Sequence, residues 1–482
     1  MTRLRNGNEP AAKDRDTGTM RPLTHAVVLG GGLAGTLAAA ALADHVDKVT
    51  IVERYHLPKG PGPRRGVPQA RHAHLMWSGG VRAIESLLPG ITRRWITAGA
   101  RKVGVPNELV SLSAQGWMRR GPQMQFLIIC SRDLLDWVVR EQVLANNRIT
   151  LAPPGRAVAL LGSASRVTGV RVRNEQNDQE TQLHADFVVD ATGRTSQASQ
   201  WLVSLGLTPP AEKTVDSGLT YATRLFHVPK GTPADFPLIN VQADHRAARP
   251  GQTATLIPIE NHRWLVTLSG TRGGEPSTDA PHFVDFARSV RHPIVGDLIA
   301  SAHPDGPVYG SHSTANRRWY FERLHQWPDG FIAIGDAVAT YNPIYGHGMS
   351  VAAHGAVALH RGLARHAMRP GTARRIQRAI ASTTEGAWTT ATSQDILYPL
   401  AVGAQPTVTA RLLQRYVDRL VKTASDRPAA AEALYGAFTL SKPMAHLVSP
   451  KAVLATFLGP VRPTLSNPPL SDEYYSSRDL HP

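Results

Sequence analysis

Apolar positions between His25 and Arg54 fall in the order strand, turn, helix, strand. Ala26 to Leu29 is an unbroken apolar run suited to a strand covered on both faces. Leu33 to His45 then reads as a helix, and Lys48 to Glu53 as a second strand. The same unbroken type recurs at Phe187 to Val189, followed by Asp190, and at Phe331 to Ile334, followed by Gly335-Asp336. Elsewhere the pattern alternates. ATLIPIE and RWLVTLS flank Asn261-His262 as a hairpin and make 219 to 272 an antiparallel region. Residues 149 to 189 read as a β-meander with a plain strand at Val167 to Arg173, and 103 to 128 as short strands. A further strand is expected near Arg317 to Phe321. Helical spacing predicts 75–99, a helix capped by Ser131, 282–302, and Gly348 to about Met368. It then runs to about residue 460, with a break from Pro399 to Pro406.

The first turn carries the chemistry. Gly30, Gly32 and Gly35 stand at G-x-G-x-x-G spacing between a strand and a helix. One glycine serves the sharp turn, one the approach of a pyrophosphate, and one close helix–strand packing; the helix N-terminus offers free N–H groups to phosphate. Glu53 ends the second strand 18 residues after Gly35, where a carboxylate can accept ribose hydroxyls. The stretch His56 to His74 has no periodicity over about 20 residues, as expected of a loop lying over a ligand. His72 and His74 within it have no third partner in a metal-binding pattern and read as ordinary polar histidines.

Composition narrows the class. At 482 residues with 42% hydrophobic and 19% charged content, the chain is an ordinary globular protein of two or three cooperating domains. The single Cys130 leaves no disulfide framework, iron–sulfur cluster or cysteine zinc site, which suits a reducing cytoplasm. Residues 25 to 43 are apolar behind a basic start, but three consecutive glycines and a charged strand argue against a secretory signal. No other stretch approaches the roughly 18 to 20 apolar residues of a membrane span. Lys and Arg number 53 against 37 Asp and Glu, a net charge of +16. The excess is scattered in pairs such as Arg64-Arg65 and Arg317-Arg318, without a nucleic-acid-binding signature, so it reads as a basic surface open to an acidic partner and not as a nucleic-acid site. Residues 1–22 and the chain after Pro463 have the composition of disordered ends.

Three signals in this order, G-x-G-x-x-G, Asp190-Ala-Thr-Gly193 and Gly335-Asp336, imply one sheet revisited twice after long excursions. The arrangement resembles the FAD-dependent monooxygenases of the aromatic-hydroxylase and squalene-epoxidase type over about residues 25 to 375. The resemblance implies an α/β (α+β) architecture: a Rossmann-like FAD-binding domain of the p-hydroxybenzoate hydroxylase type, an antiparallel-sheet substrate domain and C-terminal helices. Its parts fall at 23–74, 130–210 and 325–375 for FAD, 75–129 and 211–324 for substrate, and 376–482 for the helical region. It assigns Asp336 to the flavin ribityl chain, maps the following turn onto Pro343, Gly346, Gly348 and Met349, and matches Arg132 at the mouth of a helix. Arg54 and Asp190 join Gly30, Gly32, Gly35, Glu53 and Gly335 as expected cofactor contacts. The helix from Gly348 would direct its positive end at the flavin, stabilising the anion formed on reduction.

The strings GVPQARHAHLMWSGG, YATRLF, GTRGGEP and NPIYGHGM resemble, more narrowly, the flavin-dependent epoxidases of polyether ionophore biosynthesis. That likeness implies epoxidation of a linear polyene polyketide through a flavin C4a-hydroperoxide, with O₂ and NAD(P)H as co-substrates. No catalytic side chain is required; His347 is a candidate for a supporting role. The substrate would lie on the 219–272 sheet beneath 75–128, in an apolar cleft lined by Trp77, Trp117, Phe126 and Trp264. NAD(P)H either binds transiently or reduces FAD through a separate flavin reductase, and the polyene is either free or borne by an acidic carrier protein that the basic surface would suit. A phenol hydroxylase, marked by a Tyr or His relay, is the nearest alternative. A flavin prenyl reductase is the next, and halogenases are disfavoured because W-x-W-x-I-P is absent.

Overall fold

The computed structural model describes residues 24–312 and 314–470. Five strands form a parallel sheet in the order Phe331–Ala333, Phe187–Asp190, His25–Leu29, Lys48–Val52, Ile149–Leu151. These strands come from three separated stretches of chain, and each is apolar along its length because the sheet is covered by helices and by the antiparallel strands Gly155–Gly162 and Val167–Asn174, whose Leu160, Val167, Val170 and Val172 share its core. Leu33–Ala43 packs on one such face beside Arg132–Leu144 and the long helix Gly348–His366. In-register pairing sets Leu29 opposite both Val52 and Asp190, and Asp190 opposite Ala333. All three sequence signals therefore open at the same carboxyl edge of one sheet, where an open α/β sheet binds ligands.

The second sheet has seven strands in the order Pro304–Ser311, Thr220–His227, Arg263–Gly270, Gln252–Ile259, Leu238–Val241, Leu109–Ser113, Gly116–Trp117. Its hairpin turns at Asn261 and His262, whose positive φ values of 62° and 52° fit a tight turn of the kind that matches strand twist. The two faces differ. Ala222, Phe226, Trp264, Val266 and Leu268 pack under the helices His282–Ser289 and Ile294–Ala300. The opposite face carries Tyr221, Thr223, Thr267, Ser269 and Thr253 by the alternation of the strands.

Several boundaries differ from expectation. The 75–99 stretch begins as a strand, Leu75–Trp77, before the helices Ser78–Leu87 and Ile91–Thr97. The 282–302 helix is two helices, broken at Pro293, whose ring cannot continue the preceding hydrogen bonds. Strands from 109 to 117 join the large sheet as its edge and form no roof over it. The chain after Pro463 is packed as far as Leu470: Leu465 bridges to Trp117 and Leu470 is buried in the same core. Residues 1–22 lie outside the described residues. The C-terminal helices Thr372–Asp395, Val408–Ala424, Pro428–Phe438 and Pro450–Leu458 follow the predicted helical run and its break.

Candidate functional site

The glycine turn is built by steric necessity. Gly30 has φ +95°, and a Cβ there would stand 2.5 Å from the Ala191 carbonyl oxygen. A Cβ on Gly35 would fall 1.8 Å from the Gly30 carbonyl oxygen, so the helix can lie on the strand only with glycine at that place. Gly32, at the N-cap of Leu33–Ala43, has open space where its side chain would be, with Arg64 Nη1 the nearest atom at 3.8 Å. An anion approaching here meets the free N–H groups of a helix start.

Glu53 and Arg64 close this turn. Glu53 Oε2 accepts from the Gly31 N–H at 2.7 Å and from Arg64 Nη2 at 2.5 Å, while Arg64 Nη1 donates to the Gly31 carbonyl at 2.8 Å. Arg64 was not among the expected site residues; the basic pair in the Pro/Gly loop was the only trace of it. Arg54, by contrast, is half-exposed, pairs with Glu175 at 3.1 Å and lies against the Tyr55 ring, so the structure does not bring it to the turn.

The second and third signals meet the first through small residues. Ala191 abuts Gly30, and a Cβ on Gly335 would stand 2.8 Å from the Ala34 Cβ. Asp336 sits between them: Cβ positions on Gly193 and Gly348 would lie 4.0 Å from its Cβ and 3.8 Å from its Oδ1. Desolvation pushes the Asp336 carboxyl above its ordinary range, and Arg194, Arg132 and Arg317 pull it back. Arg132 holds Asp136 at 2.7 Å at the head of its helix, where Ser131 caps Leu134. Asp190 has a different task from the one expected. It is fully buried and accepts from Thr192 N–H and O–H and from Ser196 O–H at 2.5–2.9 Å, so its carboxylate holds its own turn.

The proline turn is clamped from three directions. Asn342 caps it by accepting from the Ile344 N–H, Pro343 opens a short 3₁₀ turn, and Gly346 ends it at φ +65°. Trp77 Nε1 donates to the Tyr345 carbonyl at 3.2 Å. Tyr345 O–H and Asn342 Nδ2 donate to Asp395 at 2.7 and 2.9 Å, and Asn316 Nδ2 donates to the same carboxylate at 2.7 Å. His347, the N-cap of Gly348–His366, bonds the Phe438 carbonyl at 2.8 Å through Nε2. A carbonyl only accepts, so Nε2 carries the proton. Nδ1 is then a buried acceptor without a hydrogen-bond partner among the described residues. Burial holds this imidazole neutral, with a pKa lowered to about 4. Met349 follows in the first helical turn, also buried.

On the hydroxyl-bearing sheet face, Thr267 Oγ1 accepts from the Ala73 N–H at 3.1 Å and pairs with Thr223 Oγ1 at 2.8 Å; Thr223 pairs in turn with His72 Nδ1 at 2.8 Å. The His72 tautomer sets the donor order: with its proton on Nε2, Thr267 donates to Thr223 and Thr223 to Nδ1. Desolvation, then the Arg71 charge, lowers the His72 pKa to about 4, and desolvation followed by Arg132 lowers His74 to about 3. Tyr221 O–H donates to Asn342 Oδ1 at 3.0 Å, joining this face to the proline turn. The four aromatics expected to line one apolar cleft do not come together. Trp264 and Trp117 lie in the core on the other face, Trp77 braces the proline turn, and Phe126 lies beneath Arg82 and Lys102.

The donor set suits FAD: an open helix start with a buried arginine for phosphates, and a carboxylate, Asp336, on which no hydrogen bond from the described residues ends. The unpartnered His347 Nδ1 beside a second helix start completes it. Residues 26–199 match the FAD dependent oxidoreductase family. The chain is 31% identical to protein Rv3254 of Mycobacterium tuberculosis over 76% of its own length and 79% of that protein. It is 28% identical to a kynurenine 3-monooxygenase of Salinispora arenicola, over 70% of this chain and 72% of the relative. Among solved structures, the flavin-dependent halogenase CmlS superposes with a TM-score of 0.60 at 16% identity, covering 87% of this chain and 77% of that one. At that identity the likeness is one of fold.

Proposed function

The chain belongs to the FAD-dependent oxidoreductases, and from that premise we propose that it is a flavin monooxygenase that epoxidises the alkenes of a linear polyene, as in polyether biosynthesis. FAD is the cofactor, and when bound and reduced it supplies electrophilic oxygen from O₂. The overall balance consumes one NAD(P)H, one O₂ and one proton for each epoxide, NAD(P)⁺ and water formed. The chain's residues hold and orient. Gly32, the following N–H groups and Arg64 take the pyrophosphate, Asp336 accepts from sugar hydroxyls, and the clamped turn from Pro343 to His347 sets the helix of Gly348 against the flavin.

The observation that carries the proposal is that the histidines here are already engaged: His72 Nδ1 pairs with Thr223 and His347 Nε2 with the Phe438 carbonyl, each at 2.8 Å, and burial holds both rings neutral. An alkene needs no base to react with electrophilic oxygen, whereas a phenol is activated by losing its proton. Thr223 with Thr267 and Thr253 with Ser269 satisfy one another, so these buried hydroxyls present no unpaired group to deprotonate a phenol.

An aromatic hydroxylase is the second reading. It is favoured by the Tyr221–Asn342–Asp395 chain, which links a phenol on the substrate sheet to a buried carboxylate, and by the 28% identity to a kynurenine 3-monooxygenase. The two separate in a coupling assay with FAD, NAD(P)H and a flavin reductase. Trisubstituted alkenes should suppress peroxide release and be oxygenated; oxygenation of phenols or anilines in their place would select the second reading.

A further inference from the structure

The helix Pro450–Leu458 is inverted. Its inner face is small, with Ala452, Ala455 and Thr456 packed against the protein, and its outer face is large and apolar: Val453, Leu454 at 61% exposure, Phe457 at 77% and Leu458. Val461, 72% exposed, extends the same surface past the helix end. Val448, just before this helix, is exposed as well, and so is Leu412, one turn before Tyr416, whose hydroxyl bonds the Leu447 carbonyl at 2.6 Å. A helix on a water-facing surface ordinarily has the opposite arrangement, and clustered protruding side chains of this size mark an interaction site.

Cations rim the patch. Arg419 donates to the carbonyls of Thr456 and Phe457 at 2.7 Å each, Arg427 to that of Gly459, and Arg462 pairs with Asp426 at 2.5 Å. From 408 to 462 the chain has eight Lys and Arg against three Asp and Glu. A second copy is a poor occupant, because a twofold interface would set these cations against their own images. No helix among the described residues is long and apolar enough to cross a membrane. Protruding apolar side chains within a cationic rim are instead the pattern of insertion into the boundary of an anionic bilayer.

We propose that this helix docks the protein on anionic lipid surfaces, with Leu454, Phe457, Leu458 and Val461 entering the acyl boundary and the surrounding arginines and Lys451 facing headgroups. The inference stands apart from the choice of substrate. Its test is flotation of the FAD-loaded protein with vesicles of phosphatidylcholine mixed with phosphatidylglycerol, and with pure phosphatidylcholine. The wild type should float with the mixed vesicles and at least about fivefold less with the neutral ones. The double variant Phe457→Ser/Leu458→Ser should lose at least about fivefold of the binding while keeping its yellow colour and its NAD(P)H oxidation in solution. Three results would overturn the proposal: no flotation of the wild type, equal flotation of the serine variant, or a stable wild-type dimer in solution that the serine variant lacks.

Discussion

Tyr345 donates a hydrogen bond from its hydroxyl to Asp395 at 2.7 Å across 50 residues of chain, so the proline turn is anchored on the end of a C-terminal helix. The helical region after residue 375 is therefore part of the site's framework. Asp395→Ala leaves the Tyr345 hydroxyl and the Asn316 and Asn342 amides without their acceptor. At about 1–3 kcal/mol for each stranded donor, the loss of unfolding free energy should reach about 3 kcal/mol or more in urea titration, with weaker FAD retention. Asp395→Asn, which keeps one acceptor oxygen, should lose less.

Arg64 and Glu53 form a nearly buried pair over the glycine turn, with side chains 7% and 12% exposed. Arg64→Ala removes the proposed phosphate partner and leaves Glu53 without its ion pair over the glycine turn. The FAD dissociation constant in a fluorescence titration should rise by about tenfold or more. Arg64→Lys, a point charge without the fork, should recover part of that.

Gly35→Ala tests the packing of helix on strand. The added methyl would overlap the Gly30 carbonyl, and overpacking of this kind costs about 1–3 kcal/mol or more. A lower thermal midpoint and protein purified with little yellow colour are expected.

The histidines predict an acid response. His72 titrates near 6.5 unfolded and near 4 folded, so between those values the unfolded chain binds more protons. Stability from this group is fully present above 6.5 and is lost as pH falls toward 4. Buried carboxyls such as Asp336 and Asp395, whose pKa values are raised by desolvation, act with the opposite sign, so the difference from a variant is the clean observable. From pH 6.5 to 4, the wild type should lose about 3 kcal/mol more than His72→Asn in chemical denaturation.

The three glycine-and-acid signals were legible because they are local: a strand, a turn and a helix start within a dozen residues fix their own geometry. Their convergence at one sheet edge followed from order alone. Arg64, Asp395 and the Thr267–Thr223–His72 chain were not legible, because each acts through contacts, such as Arg64 with the Gly31 carbonyl, that only the folded register supplies. Asp190 and Arg54 sit inside recognisable motifs, yet their partners, Ser196 and Thr192 in one case and Glu175 in the other, give them structural work. The tryptophans were misassigned because aromatic character says nothing of which sheet face a residue takes.

The most direct test of the central claim is oxygen tracing. Purified protein with FAD, NADPH and a flavin reductase is given an acyclic trisubstituted alkene under ¹⁸O₂, and products are weighed by mass spectrometry. One ¹⁸O atom per alkene, with one NADPH and one O₂ consumed for each, is the predicted result. NADPH consumed with matching hydrogen peroxide and an alkene left unlabelled, while a phenol or aniline takes up ¹⁸O under the same conditions, would contradict it.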